Sequence, residues 1–128
     1  MFKTRLPILW CLASGLALAE TWPGFLVNLS CFDSLERNHN PTDTETFVDR
    51  DRGAEVQYCV PKVKTKSFGI VQQDGQTFRF DSAGNLKAAN LVSQTGKRSL
   101  WPVKVTGQLE QGRIKVESIS LAANSGKR

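Results

Sequence analysis

Between Lys66 and Asp81 the chain reads Lys-Ser-Phe-Gly-Ile-Val-Gln-Gln-Asp-Gly-Gln-Thr-Phe-Arg-Phe-Asp, two short alternating runs on either side of an Asp-Gly pair. Phe68 and Ile70 alternate with small or polar residues before the pair, and Phe78 and Phe80 alternate with Thr77, Arg79 and Asp81 after it. Successive side chains on a strand point to opposite faces, so each run has one apolar and one wetter face. Asp-Gly enters a positive-φ turn at low cost, and the two runs are expected to pair as a hairpin across Asp74-Gly75. Its apolar face needs a second layer, and the short runs on both sides can supply it. A barrel or sandwich is expected.

The first nineteen residues stand outside that pattern. Lys3 and Arg5 precede a mostly apolar run from Leu6 to Leu18, and Ala17-Leu18-Ala19 places small residues where a signal peptidase reads them. Export to the periplasm or the medium is expected, with cleavage before Glu20. About 13 mostly apolar residues are fewer than the roughly 20 that span a bilayer, so no membrane anchor is expected to persist. Losing Lys3 and Arg5 lowers the formal net charge from +5 to +3. That mild excess argues against a nucleic-acid partner.

Cys11 leaves with the leader, and Cys31 and Cys59 remain. An even pair in an exported chain reads as one disulfide. Closing a loop of roughly 28 residues would contribute about 3 to 4 kcal/mol in the chain-entropy picture. No Cys-x-x-Cys spacing points to redox or metal chemistry instead.

Taken in order, Trp22 to Phe32 alternates Phe25, Val27, Leu29 and Cys31 against Leu26, Asn28 and Ser30, and is expected to be the first strand. Asn28-Leu29-Ser30 matches a glycosylation acceptor, although a strand is a poor place for one. From Asp33 to Pro61 no apolar period survives, so residues 33–61 are expected to form a long polar loop, with room for a short helical turn near Thr44 to Asp49. After the hairpin, Ser82 to Asn85 is turn chemistry. Leu86 to Val92 has helical spacing, with Asn85 as N-cap, with Leu86, Ala89 or Asn90, and Leu91 towards the sheet, and with Lys87 in solvent. Alternation resumes from Leu100 to Leu109, with Pro102 early in the run, as a strand-start proline should be. In the last run, Arg113 to Leu121, Ile114 and Val116 share one parity and Ile119 and Leu121 the other, which predicts a β-bulge at Glu117-Ser118. Residues 122–128 read as a frayed tail.

Three strands, a short helix and two further strands is the element order of the OB-fold, a five-stranded Greek-key barrel. The chain also resembles a set of small, mostly uncharacterised exported bacterial domains of OB-like architecture. That likeness is carried by Gly24-Phe25-Leu26-Val27 leading to Cys31, Cys59 ahead of Thr65 to Val71, and Asp74-Gly75 with Phe78. Asp81 to Asn85, Val103 to Gly107, and Val116 to Leu121 extend it over nearly all of residues 20–121. The resemblance implies an all-β, OB-like barrel with one short helix between strands three and four, an exported address and a binding role. None of the motifs is catalytic.

The remaining constellations point the same way. His39 is the only histidine and has no strand-to-helix elbow beside it to hold a nucleophile, so neither an enzyme nor a zinc site is expected. Asp49-x-Asp51-x-Gly53 lacks the further oxygen ligands of a calcium loop, with Gly53 and Val60 where ligands belong. No cofactor is expected. Lys62, Lys64 and Lys66 would line one side of an extended segment, and Arg79 would continue the patch across the hairpin. On an OB-fold this is a ligand-binding region; edge lysines that discourage sheet association are the alternative. Trp101 and Trp22 lie near strand starts, either packed at barrel ends or offering Trp101 as a stacking platform. The chain is therefore expected to be a monomeric, exported, non-enzymatic domain. It would bind an unknown protein or acidic ligand through Lys62, Lys64, Lys66, Arg79 and Trp101, next to the loop pinned by Cys31 and Cys59. A structural or envelope-stress protein without a small-molecule site is the alternative.

Overall fold

A computed structural model describes residues 18–37 and 45–122. In chain order these form β1 (Glu20–Asn28), α1 (Leu29–Arg37), α2 (Glu45–Tyr58), β2 (Phe68–Val71), β3 (Thr77–Phe80), α3 (Ser82–Thr95), β4 (Pro102–Glu110) and β5 (Arg113–Leu121). The leader up to residue 17, His39 with the rest of residues 38–44, and the tail from residue 123 lie outside the described residues.

The strands join in the order β1-β2-β3-β5-β4, and β4 returns to β1, so the mixed sheet closes into a ring. β1 makes the closure: Glu20–Phe25 pair with β4, and Phe25–Asn28 pair with β2. Only β3 and β5 run parallel, through Arg79↔Arg113 and Phe80↔Ile114. The hairpin forms as expected, with Ile70 opposite Phe78 and Gly75 at φ 93° in its turn. The bulge also falls where the change of parity puts it. The β4–β5 register passes from Thr106↔Ser118 to Gly107↔Val116 and leaves Glu117 as the extra residue. Gly107 suits the site because a Cβ there would collide with the Lys115 carbonyl oxygen.

Two separate cores result. The first draws Leu26, Phe68, Ile70, Phe80, Val103, Val105, Ile114 and Val116 from all five strands, and is closed by Trp101 and by Ala88 and Val92 of α3. It fills the ring. The second joins Val27 and Val71, on the outer faces of β1 and β2, to Phe32, Val56 and Cys59. Leu26 and Val27 are thus both fully buried although they point to opposite sides of one strand.

Three helices, where one was expected, correct the all-β reading. The first strand stops at Asn28 rather than Phe32 because the Asn28 side-chain oxygen accepts the Cys31 N–H at 3.2 Å and starts α1. Leu29 and Phe32, one turn apart, then bury together against the outside of the sheet. The expected long loop holds the end of α1 and all of α2. In α2 the acids and arginines of the sequence hide a helix whose described side chains, residues 52–58, include one fully buried one, Val56. A disulfide joins Cys31 to Cys59 with the Cα atoms 5.6 Å apart, and the Asn28 N–H donates to the Cys59 carbonyl at 2.8 Å.

α3 is the helix that was expected between strands three and four, but it begins earlier and presents a partly different face. Asp81, not Asn85, is its N-cap: Oδ1 accepts the Gly84 N–H at 2.8 Å and also the Val116 N–H of β5 at 3.2 Å. Asn85, one turn in, accepts the Phe68 N–H at 2.9 Å and ties α3 to β2. These two ties turn Gly84, Ala88 and Val92 inward, where small side chains allow close approach; Ala89 and Leu91 of the expected face pack half-buried against the same core, while Leu86 is 69% exposed instead of facing the sheet.

Candidate functional site

A cleft of about 560 Å³ opens between the segment that links α2 to β2 and the C-terminal end of α3. Val60, Pro61, Val63 and Val92 supply apolar lining, and Lys62, Lys64, Lys97 and Arg98 supply cations; among the described residues no carboxylate lines it. Each wall is held in place by the fold. The linker leaves the disulfide at Cys59 and passes through buried Pro61 into a turn. There the Thr65 N–H donates to the Lys62 carbonyl at 3.0 Å, and the Lys62 N–H donates to Thr65 Oγ1 at 2.9 Å. Thr65 is itself buried, which anchors the turn while its tip residue, Val63, stands 75% exposed.

The opposite wall begins at Val92, which belongs to the barrel core. Gly96 ends α3 at φ 88°, with its N–H on the Val92 carbonyl at 3.0 Å. Only glycine takes that backbone conformation readily, so the chain leaves the helix sharply and brings Lys97 and Arg98 beside the cleft. Cations at this end also complement the partial negative charge of the helix terminus. Arg98 is directed from below. Its Nε donates to the Leu100 carbonyl at 3.2 Å, and its guanidinium carbon lies 5.9 Å from the centroid of the Trp101 ring.

The residues singled out from the sequence divide among three places. Lys62 and Lys64 line the cleft, on a turn rather than an extended run, so they and Lys66 do not form a strand face. Lys66 is exposed beyond the turn and does not line it. Arg79 is engaged elsewhere: its Nη2 lies 3.1 Å from Asp33 Oδ2 of α1, and the pair fastens α1 to the barrel flank. Trp101 is wholly buried in the ring, so it supports Arg98 and offers no exposed stacking face. Cys31 and Cys59 form the expected staple.

Val60, Val92, Lys97 and Arg98 complete the cleft and were not singled out. The approach of Lys97 and Arg98 to Lys62 and Lys64 depends on α3 crossing beside the linker, which no local pattern announces. Among the described residues no group of histidines, cysteines and carboxylates could hold a metal ion. The arrangement suits one task, holding a ligand with an anionic part over an apolar part. No protein-family model, curated protein or solved structure significantly matches the chain.

Proposed function

We propose that the protein is an exported, non-enzymatic binding domain of OB-like architecture that holds an acidic ligand in the cleft between Lys62, Lys64, Lys97 and Arg98. The carrying observation is the cation rim around an apolar floor, with no carboxylate among the described residues that line it. The OB-like reading is supported by the closed strand order β1-β2-β3-β5-β4, the parallel β3–β5 pair and the position of α3 between β3 and β4. Export is supported by the Lys3 to Ala19 leader pattern, and the disulfide is consistent with an oxidising compartment.

Retention of the purified protein on a sulfated polysaccharide resin tests this function. Wild type should be held at low ionic strength and released as salt screens the rim. Lys64→Glu with Lys97→Glu should elute without retention, and equal retention of that double variant would place the acidic ligand elsewhere. A purely structural role finds its support on the other flank, where α1 and α2 are packed down on the sheet by a core of their own.

A further inference from the structure

The acidic-ligand reading leaves open what the apolar part of the site is for, and Val63 answers it. A β-branched side chain at the tip of a turn, 75% exposed between two lysines, gains nothing from the barrel core. The turn that carries it is cross-linked by the two hydrogen bonds between Lys62 and Thr65. Exposed as it is, Val63 lines the cleft together with Val60, Pro61 and Val92 and with the four cations.

We infer that the 62–65 turn and the adjoining cleft form a docking surface for an anionic phospholipid bilayer, an assignment that rests on the acidic-ligand reading. Lys62, Lys64, Lys97 and Arg98 meet the phosphate layer, and Val63 enters the boundary beneath it. Charge complementarity chooses this occupant, because every ionisable residue among the described residues that line the cleft is cationic. The kind of donor chooses it over a small soluble anion. Three of the four cations are lysines, point charges on flexible stems, and these suit a fluid headgroup layer better than the fixed fork geometry a rigid oxyanion demands. Long lysine stems can also lie along apolar surface while their ammonium groups stay at phosphate height. The attachment is peripheral, since among the described residues no helix is long and apolar enough to cross a membrane. Each cation near an anionic surface strengthens binding by about five-fold, falling off over a Debye length.

Co-sedimentation of the purified protein with vesicles tests the inference, using phosphatidylglycerol mixed with phosphatidylcholine, phosphatidylcholine alone, and the sulfated polysaccharide as a soluble competitor. Wild type should pellet with the mixed vesicles only. Val63→Ser, which removes the apolar contact and leaves the charge of the rim unchanged, should weaken vesicle binding by about ten-fold while leaving polysaccharide retention within about two-fold. Lys62→Glu with Lys64→Glu should lose both. Near-ultraviolet circular dichroism on each variant establishes that the barrel is intact. Retention on polysaccharide with no binding to mixed vesicles would overturn the lipid assignment and leave the acidic-ligand reading standing; failure of both would remove both. Equal pelleting with phosphatidylcholine alone, or unchanged vesicle binding by Val63→Ser, would also overturn the assignment.

Discussion

The inside of the barrel and its α1–α2 flank are two solutions to the same problem of burying a few apolar side chains in a small domain. Inside the ring, five strands and α3 converge on one cluster, and each strand is hydrogen-bonded to neighbours on both sides. On the flank, two helices cover outward side chains of β1 and β2, and among the described residues their core is Val27, Phe32, Val56, Cys59 and Val71 with a few half-buried neighbours. What packing does not supply there, discrete ties do: the disulfide, the Asn28–Cys59 backbone bond and the Arg79–Asp33 pair. The barrel should therefore respond to lost volume and the flank to lost ties.

The largest effect belongs to the barrel. Phe68→Ala removes a fully buried ring from the shared cluster and should cost about 3 to 5 kcal/mol in urea unfolding. A loss below about 1 kcal/mol would mean that the ring is not the principal core.

Next comes the disulfide. Replacing Cys31 and Cys59 by serine should cost about 2 to 4 kcal/mol. Hydrogen exchange should quicken in α1 and α2 well before β3, β4 and β5. Uniform loss of protection across the barrel would erase the distinction between the two regions.

A smaller loss is expected at the joint between α3 and β5. Asp81→Ala leaves the Gly84 and Val116 N–H groups without their shared acceptor and should cost about 1 to 2 kcal/mol. Asp81→Asn, which keeps an oxygen, should recover most of it.

The smallest belongs to the Arg79–Asp33 tie, whose side chains are 48% and 35% exposed. Arg79→Ala should cost less than about 1 kcal/mol, and less still in high salt. A larger change, insensitive to salt, would show that this pair does more than fasten α1.

The same contrast explains what the sequence revealed. Phe68 to Phe80 and Pro102 to Leu121 were legible because a strand with one buried face writes its burial into alternation, and because Asp74-Gly75 and the change of parity at Glu117 mark a turn and a bulge locally. α1 was misread because Leu29 and Cys31 continue the alternation of β1, while the Asn28 cap that ends the strand is a single side-chain hydrogen bond. α2 was read as no more than a short turn near Thr44 to Asp49 because its sequence has little apolar stripe to show. The face of α3 was read in part, through Ala89 and Leu91, and its start was missed because Asp81 looked like the end of the hairpin rather than a cap. Half the cleft was legible as Lys62 and Lys64. The other half, Lys97 and Arg98, reaches it only through the crossing of α3, and Arg79 was drawn away by a partner on a helix that the pattern had hidden.

The site itself is tested most directly by nuclear magnetic resonance titration of the labelled protein with a short-chain anionic phospholipid below its micelle concentration. Amide shifts should concentrate at residues 60–64 and 92–98 and diminish with added salt, while Asp33, Arg79 and the helices of the flank stay still. Shifts centred instead on β3, Lys66 and α1, with residues 60–64 and 92–98 unmoved, would contradict the cation-rimmed cleft as the place where this protein binds.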